Sequence, residues 1–189
     1  MLDALSSAFK LADAREAGIR KDQIYALLDA GQIERVGRGA FVKVGELDPA
    51  LESLAAATAV QPSSTMCLTS ALVYQELSDD IPTRTDIALP RGTRHPAGFD
   101  HVDWHSFDPD TFQIGREELH GNAGLFVYSA ERTVIDAFRL AYQEGTETAV
   151  EALKRWLRQR GNYPAKLLEM AKRFPKAYPS LRTALEILG

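Results

Sequence analysis

Ala12-Asp13-Ala14-Arg15-Glu16-Ala17-Gly18-Ile19, continuing from Arg20 to Ala30 and then through Gly31-Gln32-Ile33-Glu34-Arg35-Val36-Gly37-Arg38-Gly39-Ala40-Phe41-Val42, carries the strongest structural signal in this chain. Two short helical patterns meet at Gly18, a residue suited to a left-handed C-terminal cap. The first spans Ala12 to Ala17. The second spans about Arg20 to Ala30, has Ile24, Leu27 and Leu28 as its apolar stripe, and stops at Gly31. A glycine-rich ribbon follows, with Ile33 and Val36 on one strand, Phe41, Val42 and Val44 on the next, and Gly37-Arg38-Gly39 as the turn. Leu2, Leu5, Ala8 and Phe9 predict a further short helix ahead of the pair. This is the order of a winged helix-turn-helix, assigned to residues 1–46. Such a unit can seat one helix in a major groove while the ribbon touches phosphate.

The side chains suit that geometry in part. With Ile24, Leu27 and Leu28 inward, the outer arc of the second helix holds Asp22, Gln23, Tyr25, Ala26 and Asp29. Gln23 and Tyr25 can meet base edges or sugar-phosphate, glutamine suiting adenine. Arg20 and Lys21 stand at the helix start beside the phosphate path, whereas Asp22 and Asp29 oppose phosphate. The ribbon adds Arg35, Arg38 and Lys43, with Arg38 on a flexible tip suited to phosphate or a narrow minor groove. Arg20, Lys21, Gln23, Tyr25, Arg35, Arg38 and Lys43 are therefore the candidate DNA contacts. The blander alternatives are a winged helix used as a protein–protein module and a solvated hairpin tip.

Composition sets limits on the rest. The chain has 189 residues, of which 45% are hydrophobic, enough for one domain or two small ones with ordinary cores. No apolar run approaches the roughly 20 residues that span a bilayer, so no membrane partner is expected. No basic-then-apolar leader is visible at the N-terminus, and the single cysteine, Cys67, fits a reducing cytoplasm. The net charge of −4 is unevenly spread. Residues 1–45 carry seven Lys/Arg against six Asp/Glu, residues 46–130 four against thirteen, and residues 131–189 eleven against seven. The acid is concentrated in the middle, between two ends that can meet polyanions.

After a linker over Gly45 to Pro49, the pattern predicts a helix from Ala50 to Val60, broken at Pro62. Ser63 or Ser64 then caps a helix reaching Leu77. A loop over Ser78 to Pro82 leads to strands at Thr85 to Leu89, Val102 to Phe107, Phe112 to His120 and Gly124 to Tyr128, with a turn at Gly121-Asn122. Ser129 caps a helix from Ala130 to Tyr142. Further helices cover Thr146 to Arg160, Pro164 to Phe174, and a last segment after Pro179 ending at Leu188. The expected fold class is α+β: an N-terminal winged helix-turn-helix, then a mixed α/β domain over residues 47–189 that ends in helices.

Little here points to catalysis. No phosphate-binding loop, dinucleotide fingerprint or G-x-S-x-G elbow is present. Asp86, Asp103 and Glu117 are the carboxylates a metal-dependent nuclease would use, but no lysine follows at a convincing spacing. His101, Asp103 and His105 alternate along one strand face. The two histidines would then lie about 13 Å apart, too far to share a zinc ion. No catalytic residue, metal site or cofactor is expected, and Cys67 reads as a small buried hydrophobe. Arg91 and Arg94, in a strand-to-loop edge, are candidates for holding an anion or a partner's acidic surface; the alternative is a structural loop paired with nearby acid. Lys154, Arg155 and Arg158 share a helix face and are either a patch for a partner or nucleic acid or an internal match to the acidic middle.

Leu68-Thr69-Ser70-Ala71-Leu72, Ile81-Pro82, Ile87-Ala88-Leu89-Pro90-Arg91-Gly92-Thr93-Arg94-His95-Pro96 and Tyr128-Ser129-Ala130-Glu131-Arg132-Thr133-Val134-Ile135-Asp136-Ala137-Phe138, in that order, resemble the AbiEi-type antitoxins of bacterial type IV toxin–antitoxin (abortive infection) systems. The resemblance spans nearly the whole chain. It implies a non-enzymatic cytoplasmic protein that represses its own operon by binding inverted repeats in promoter DNA. It also implies neutralisation of a cognate toxin of nucleotidyltransferase fold. The DNA contacts it implies fall on Arg20, Lys21, Gln23, Tyr25, Arg35 and Arg38. Position 20 departs from the pattern, which has a small hydroxyl residue as helix cap. The readings set against it are a stand-alone winged-helix transcriptional regulator, a protein–protein adaptor and a metal-dependent nuclease.

Overall fold

The computed structural model describes residues 2–141 and 145–188, which form a mixed α+β fold with two sheets. The first sheet has three antiparallel strands in the order β1 (Ala8–Lys10), β3 (Ala40–Lys43), β2 (Ile33–Gly37). Between β1 and β2 lie two short helices, α1 (Leu11–Glu16) and α2 (Lys21–Asp29). Strand periodicity divides the central strand between two cores. Phe41 points toward the helix pair and packs with Phe9, Ile19, Ile24 and Ile33. Ala40 and Val42 point the other way, toward α3 (Pro49–Val60).

α3 begins where Asp48 accepts a hydrogen bond from the Ala50 N–H at 2.9 Å and Pro49 occupies the first turn. Its buried residues, Leu51, Leu54, Ala55, Ala56 and Ala57, surround the helix rather than forming one stripe. A helix apolar on all sides must be covered on all sides. The first sheet covers one flank and the second sheet the other. That sheet has five strands in the order β6 (Val102–Phe107), β5 (Thr85–Pro90), β4 (Thr65–Met66), β8 (Phe126–Tyr128), β7 (Arg116–Glu118). Its pairing is mixed: β5–β6 and β4–β8 are parallel, β4–β5 and β7–β8 antiparallel. Met66, Ile87 and Val127 face α3, while Ala88, Phe107 and Tyr128 face the opposite side.

On that opposite side lie α4 (Leu68–Tyr74), α5 (Pro109–Phe112) and α6 (Ala130–Arg139), followed by α7 (Thr146–Arg158), α8 (Pro164–Ala171) and α9 (Tyr178–Leu188). Val134, Ile135, Leu153, Trp156, Leu167 and Leu181 are fully buried between these helices. The Ser129 hydroxyl caps α6 by accepting from the Arg132 N–H at 3.2 Å, as expected; the predicted end of this helix at Tyr142 lies outside the described residues.

Several local expectations are corrected. Leu2–Ala4 is one 3-10 turn, and Ala8–Phe9 belongs to β1 rather than to a first helix. A short apolar set at those spacings does not distinguish the two. Val44 lies beyond β3 and is largely exposed. Ser63 and Ser64 cap nothing: Thr65–Met66 is a strand in the middle of the larger sheet, and α4 starts only at Leu68. Phe112 ends α5, which Asp108 caps by accepting from the Asp110 N–H at 3.0 Å, so the strand predicted from Phe112 to His120 shrinks to Arg116–Glu118.

A charged group sits at the centre of the helical side. Arg132 is fully buried. Its Nε donates to Asp136 at 2.9 Å, and its Nη1 donates to the carbonyls of Thr111 and Ile114, each at 2.7 Å. The guanidinium lies 4.2 Å from the Tyr128 ring centre and 4.4 Å from that of Phe174. Arg139 donates to the other oxygen of Asp136 at 2.9 Å. One side chain thus joins α6, the α5–β7 turn and the segment after α8. Removing Arg132 leaves one oxygen of the buried Asp136 and the carbonyls of Thr111 and Ile114 without this donor, while Arg139 still holds the other oxygen. Arg132→Met is therefore expected to lower stability by about 3–5 kcal/mol. Urea denaturation checks this, and a midpoint equal to that of the unaltered protein would contradict it.

Candidate nucleic-acid interface

α1 and its cap residue Ala17 are followed by Gly18, whose φ of +79° is the left-handed conformation that favours glycine. The Gly18 N–H donates to the Arg15 carbonyl and the Ile19 N–H to that of Ala14, which drops Ile19 into the core. Arg20 follows as the extended N-cap residue of α2. An arginine side chain has no acceptor for the helix's free N–H groups. The cap is instead built backwards: the Gln23 side-chain carbonyl accepts from the Arg20 N–H at 2.8 Å. Arg20 Nε and Nη2 also donate to the two oxygens of Asp22 at 3.1 and 3.0 Å. This fork raises the pKa of Arg20 and lowers that of Asp22, chiefly through the hydrogen bonds between them.

The predicted contacts on α2 are therefore not equivalent. Gln23 spends its carbonyl on the cap, which removes one half of a bidentate adenine contact. Arg20 begins paired with a carboxylate. Lys21 and Tyr25 are the exposed side chains left free to reach a ligand, with the Lys21 ammonium 5.8 Å from the Tyr25 ring centre.

The β2–β3 hairpin presents Arg35 and Arg38 to solvent. Arg35 stands over its cross-strand neighbour Phe41, with the guanidinium 5.7 Å from the ring centre. Lys43 is withdrawn, which corrects the expectation that it meets phosphate: it is 7% exposed, and its ammonium lies 3.3 Å from Glu46. The tip is also not the flexible element expected. The Arg38 N–H donates to the Ala97 carbonyl at 3.0 Å, and a Cβ added at Gly37 would stand 2.3 Å from the Phe99 ring. Gly37 is buried, so glycine is needed there for close approach. This brace comes from the β5–β6 connection, far away in sequence, where a lone phenylalanine in a polar loop was the available signal.

The other candidates scatter. Arg91 and Arg94 lie exposed in that same connection, with no ion-pair partner among the described residues. Lys154 lies 3.8 Å from Glu151 on its own helix, and Arg155 pairs with that Glu151 and with Asp79, the latter a match to the acidic middle segment. Arg158 is exposed. Of the three nuclease-type carboxylates, Asp86 and Asp103 are register partners on β5 and β6, and Glu117 does not join them. Asp86 accepts from Ser70 and contacts His105 Nε2 at 2.8 Å, and Asp103 accepts from Arg84 at 2.6 Å. Glu117 sits on β7, at the sheet edge opposite β6, roughly 19 Å away by strand spacing. His105 thus finds its carboxylate on the neighbouring strand.

No protein-family model and no curated protein matches this sequence. Among solved structures, the chain is similar to the crystal structure of RV2827C protein from Mycobacterium tuberculosis, with a TM-score of 0.54 and 15% identity over 97% of this chain and 76% of that one. At that identity the likeness is one of fold. Among the described residues, no helix is long and apolar enough to cross a membrane.

Filling the space at Gly37 tests the brace. Gly37→Ala is expected to displace Phe99, to cost roughly 1–3 kcal/mol, and to speed hydrogen exchange of the Arg38 amide. Denaturation and amide exchange together check it; unchanged protection at Arg38 would show the contact to be dispensable.

Proposed function

We propose that this chain is a cytoplasmic repressor and antitoxin of a type IV toxin–antitoxin system, and that its first 46 residues act as a winged helix-turn-helix on duplex DNA. The observation that carries the reading is the placement of free cations on consecutive elements: Lys21 beside Tyr25 on exposed α2, then Arg35 and Arg38 on the hairpin that follows. In this reading α2 enters the major groove, Tyr25 meets base edges or sugar, and Lys21, Arg35 and Arg38 meet phosphate. Arg20 joins them by exchanging Asp22 for a phosphate oxygen. Inverted repeats in the promoter would receive two recognition helices, from a dimer or from two monomers bound side by side. The remainder of the chain counters a nucleotidyltransferase-like toxin. That half rests on the sequence resemblance, and it assigns no catalytic step, metal or cofactor to the chain.

A mobility-shift titration on the DNA upstream of the protein's own gene tests the first half. Three or four phosphate contacts give a slope of log affinity against log salt of roughly −3 to −4 per subunit. Arg35→Ala/Arg38→Ala should flatten this slope by about 2. Asp22→Asn should tighten binding severalfold at low salt by freeing Arg20. A shift unchanged by the Arg35/Arg38 pair would remove the hairpin from the interface. Co-expression with the product of an adjacent nucleotidyltransferase-like gene tests the second half: the same double variant should still restore growth. Loss of rescue by a folded double variant would show that the two activities are not divided as proposed.

A further inference from the structure

Residues 46–130 carry four Lys/Arg against thirteen Asp/Glu. Two of the four already have partners within the chain. Arg84 pairs with Asp103 at 2.6 Å and donates to the Val102 carbonyl at 2.9 Å. Arg116 donates to Thr65 at 2.8 Å, with its guanidinium 3.4 Å from the Phe126 ring centre. The remaining two, Arg91 and Arg94, are exposed in the β5–β6 connection, the segment that touches the hairpin tip. That connection is held at several points. The Arg91 N–H donates to the Phe107 carbonyl at 2.7 Å and the Thr93 N–H to that of Pro90 at 3.0 Å. His95 lies 3.1 Å from the Ser106 hydroxyl and stacks on Trp104, and Ala97 accepts from the Arg38 N–H. Arg94 therefore projects from backbone fixed on both sides, and its Cα lies within about 11 Å of that of Ala97 by chain length. The carboxylates Glu34, Glu52 and Asp100 line an adjoining cleft of about 570 Å³ between β2 and the start of β5, together with Arg35 and Arg84.

We propose that the β5–β6 connection is a third duplex-DNA contact, in which Arg94 and Arg91 hold phosphates next to those met by Arg38. It rests on the proposed DNA-binding reading and extends it to a loop outside the helix-turn-helix. The Arg38–Ala97 hydrogen bond places this connection beside the hairpin tip, so both can meet one stretch of phosphate backbone. The backbone hydrogen bonds hold the connection before DNA arrives, so little ordering is left for binding to impose.

The test uses the full chain and a promoter duplex labelled for anisotropy, titrated between 50 and 300 mM KCl. Arg91→Ala/Arg94→Ala is expected to flatten the salt slope by about 2 and to weaken binding at least tenfold at 100 mM salt. Arg173→Ala/Lys176→Ala, in the turn before α9, should leave both unchanged. Because Arg91 and Arg94 are exposed, the thermal midpoint should hold; Arg94→Gln, which keeps the length and loses the charge, supplies a second variant with an expected slope change of about 1. If the unaltered chain binds and both loop variants retain its slope and affinity, this proposal falls while the DNA-binding reading stands. If the unaltered chain fails to bind even at 50 mM salt, the reading itself falls and takes this contact with it. Loss of toxin neutralisation with an unchanged slope would assign the loop to a protein partner and overturn the proposal.

Discussion

α3 buries leucine and alanine on more than one face, and the rest of the fold answers to that constraint. A helix rich in alanine can be approached closely from several sides, and here two sheets make that approach. Covering the first flank takes Ala40 and Val42 from the central strand of the smaller sheet, so that strand is buried on both faces. Covering the second flank brings the larger sheet, and with it the β5–β6 connection, against the hairpin tip. The hairpin tip and the β5–β6 connection meet because both sheets pack on this one helix.

Parts of this arrangement were legible from local pattern. The two helices meeting at Gly18, the stop at Gly31, the strand at Val102–Phe107 and the Ser129 cap each carry their cause within a few residues: a glycine at positive φ, an alternating apolar pattern, a hydroxyl before a helix. What escaped is non-local or too short to have a period. Thr65–Met66 is two residues long, and its neighbours on both sides make it a strand. Two serines ahead of an apolar run mimic a helix start. The same holds at the candidate interface. The basic residues were visible, but Lys43 is withdrawn by a carboxylate three residues on, Gln23 is drawn into a cap because Arg20 cannot make one, and the tip is stiffened by a phenylalanine from another part of the chain.

The segment around Arg132 illustrates how a resemblance carried by sequence motifs can mark architecture. Its serine caps α6, its arginine bonds two carbonyls and an aspartate, and its tyrosine stacks beside that arginine and donates to the Phe112 carbonyl at 2.9 Å. All of these side chains are buried. They hold the helical half to the sheet and leave surface chemistry to other residues. Gly115 belongs to the same set: with φ at +70° and the Arg132 side chain packed against it, a Cβ there would stand 2.6 Å from the Cβ of that arginine.

The fork between Arg20 and Asp22 has a consequence for how such a surface would meet a chromosome. From a distance the start of α2 is a zwitterion, and the chain around it is anionic overall. Its long-range pull on any polyanion is correspondingly weak. Only a groove that brings a phosphate close enough to compete with the resident aspartate would release the guanidinium.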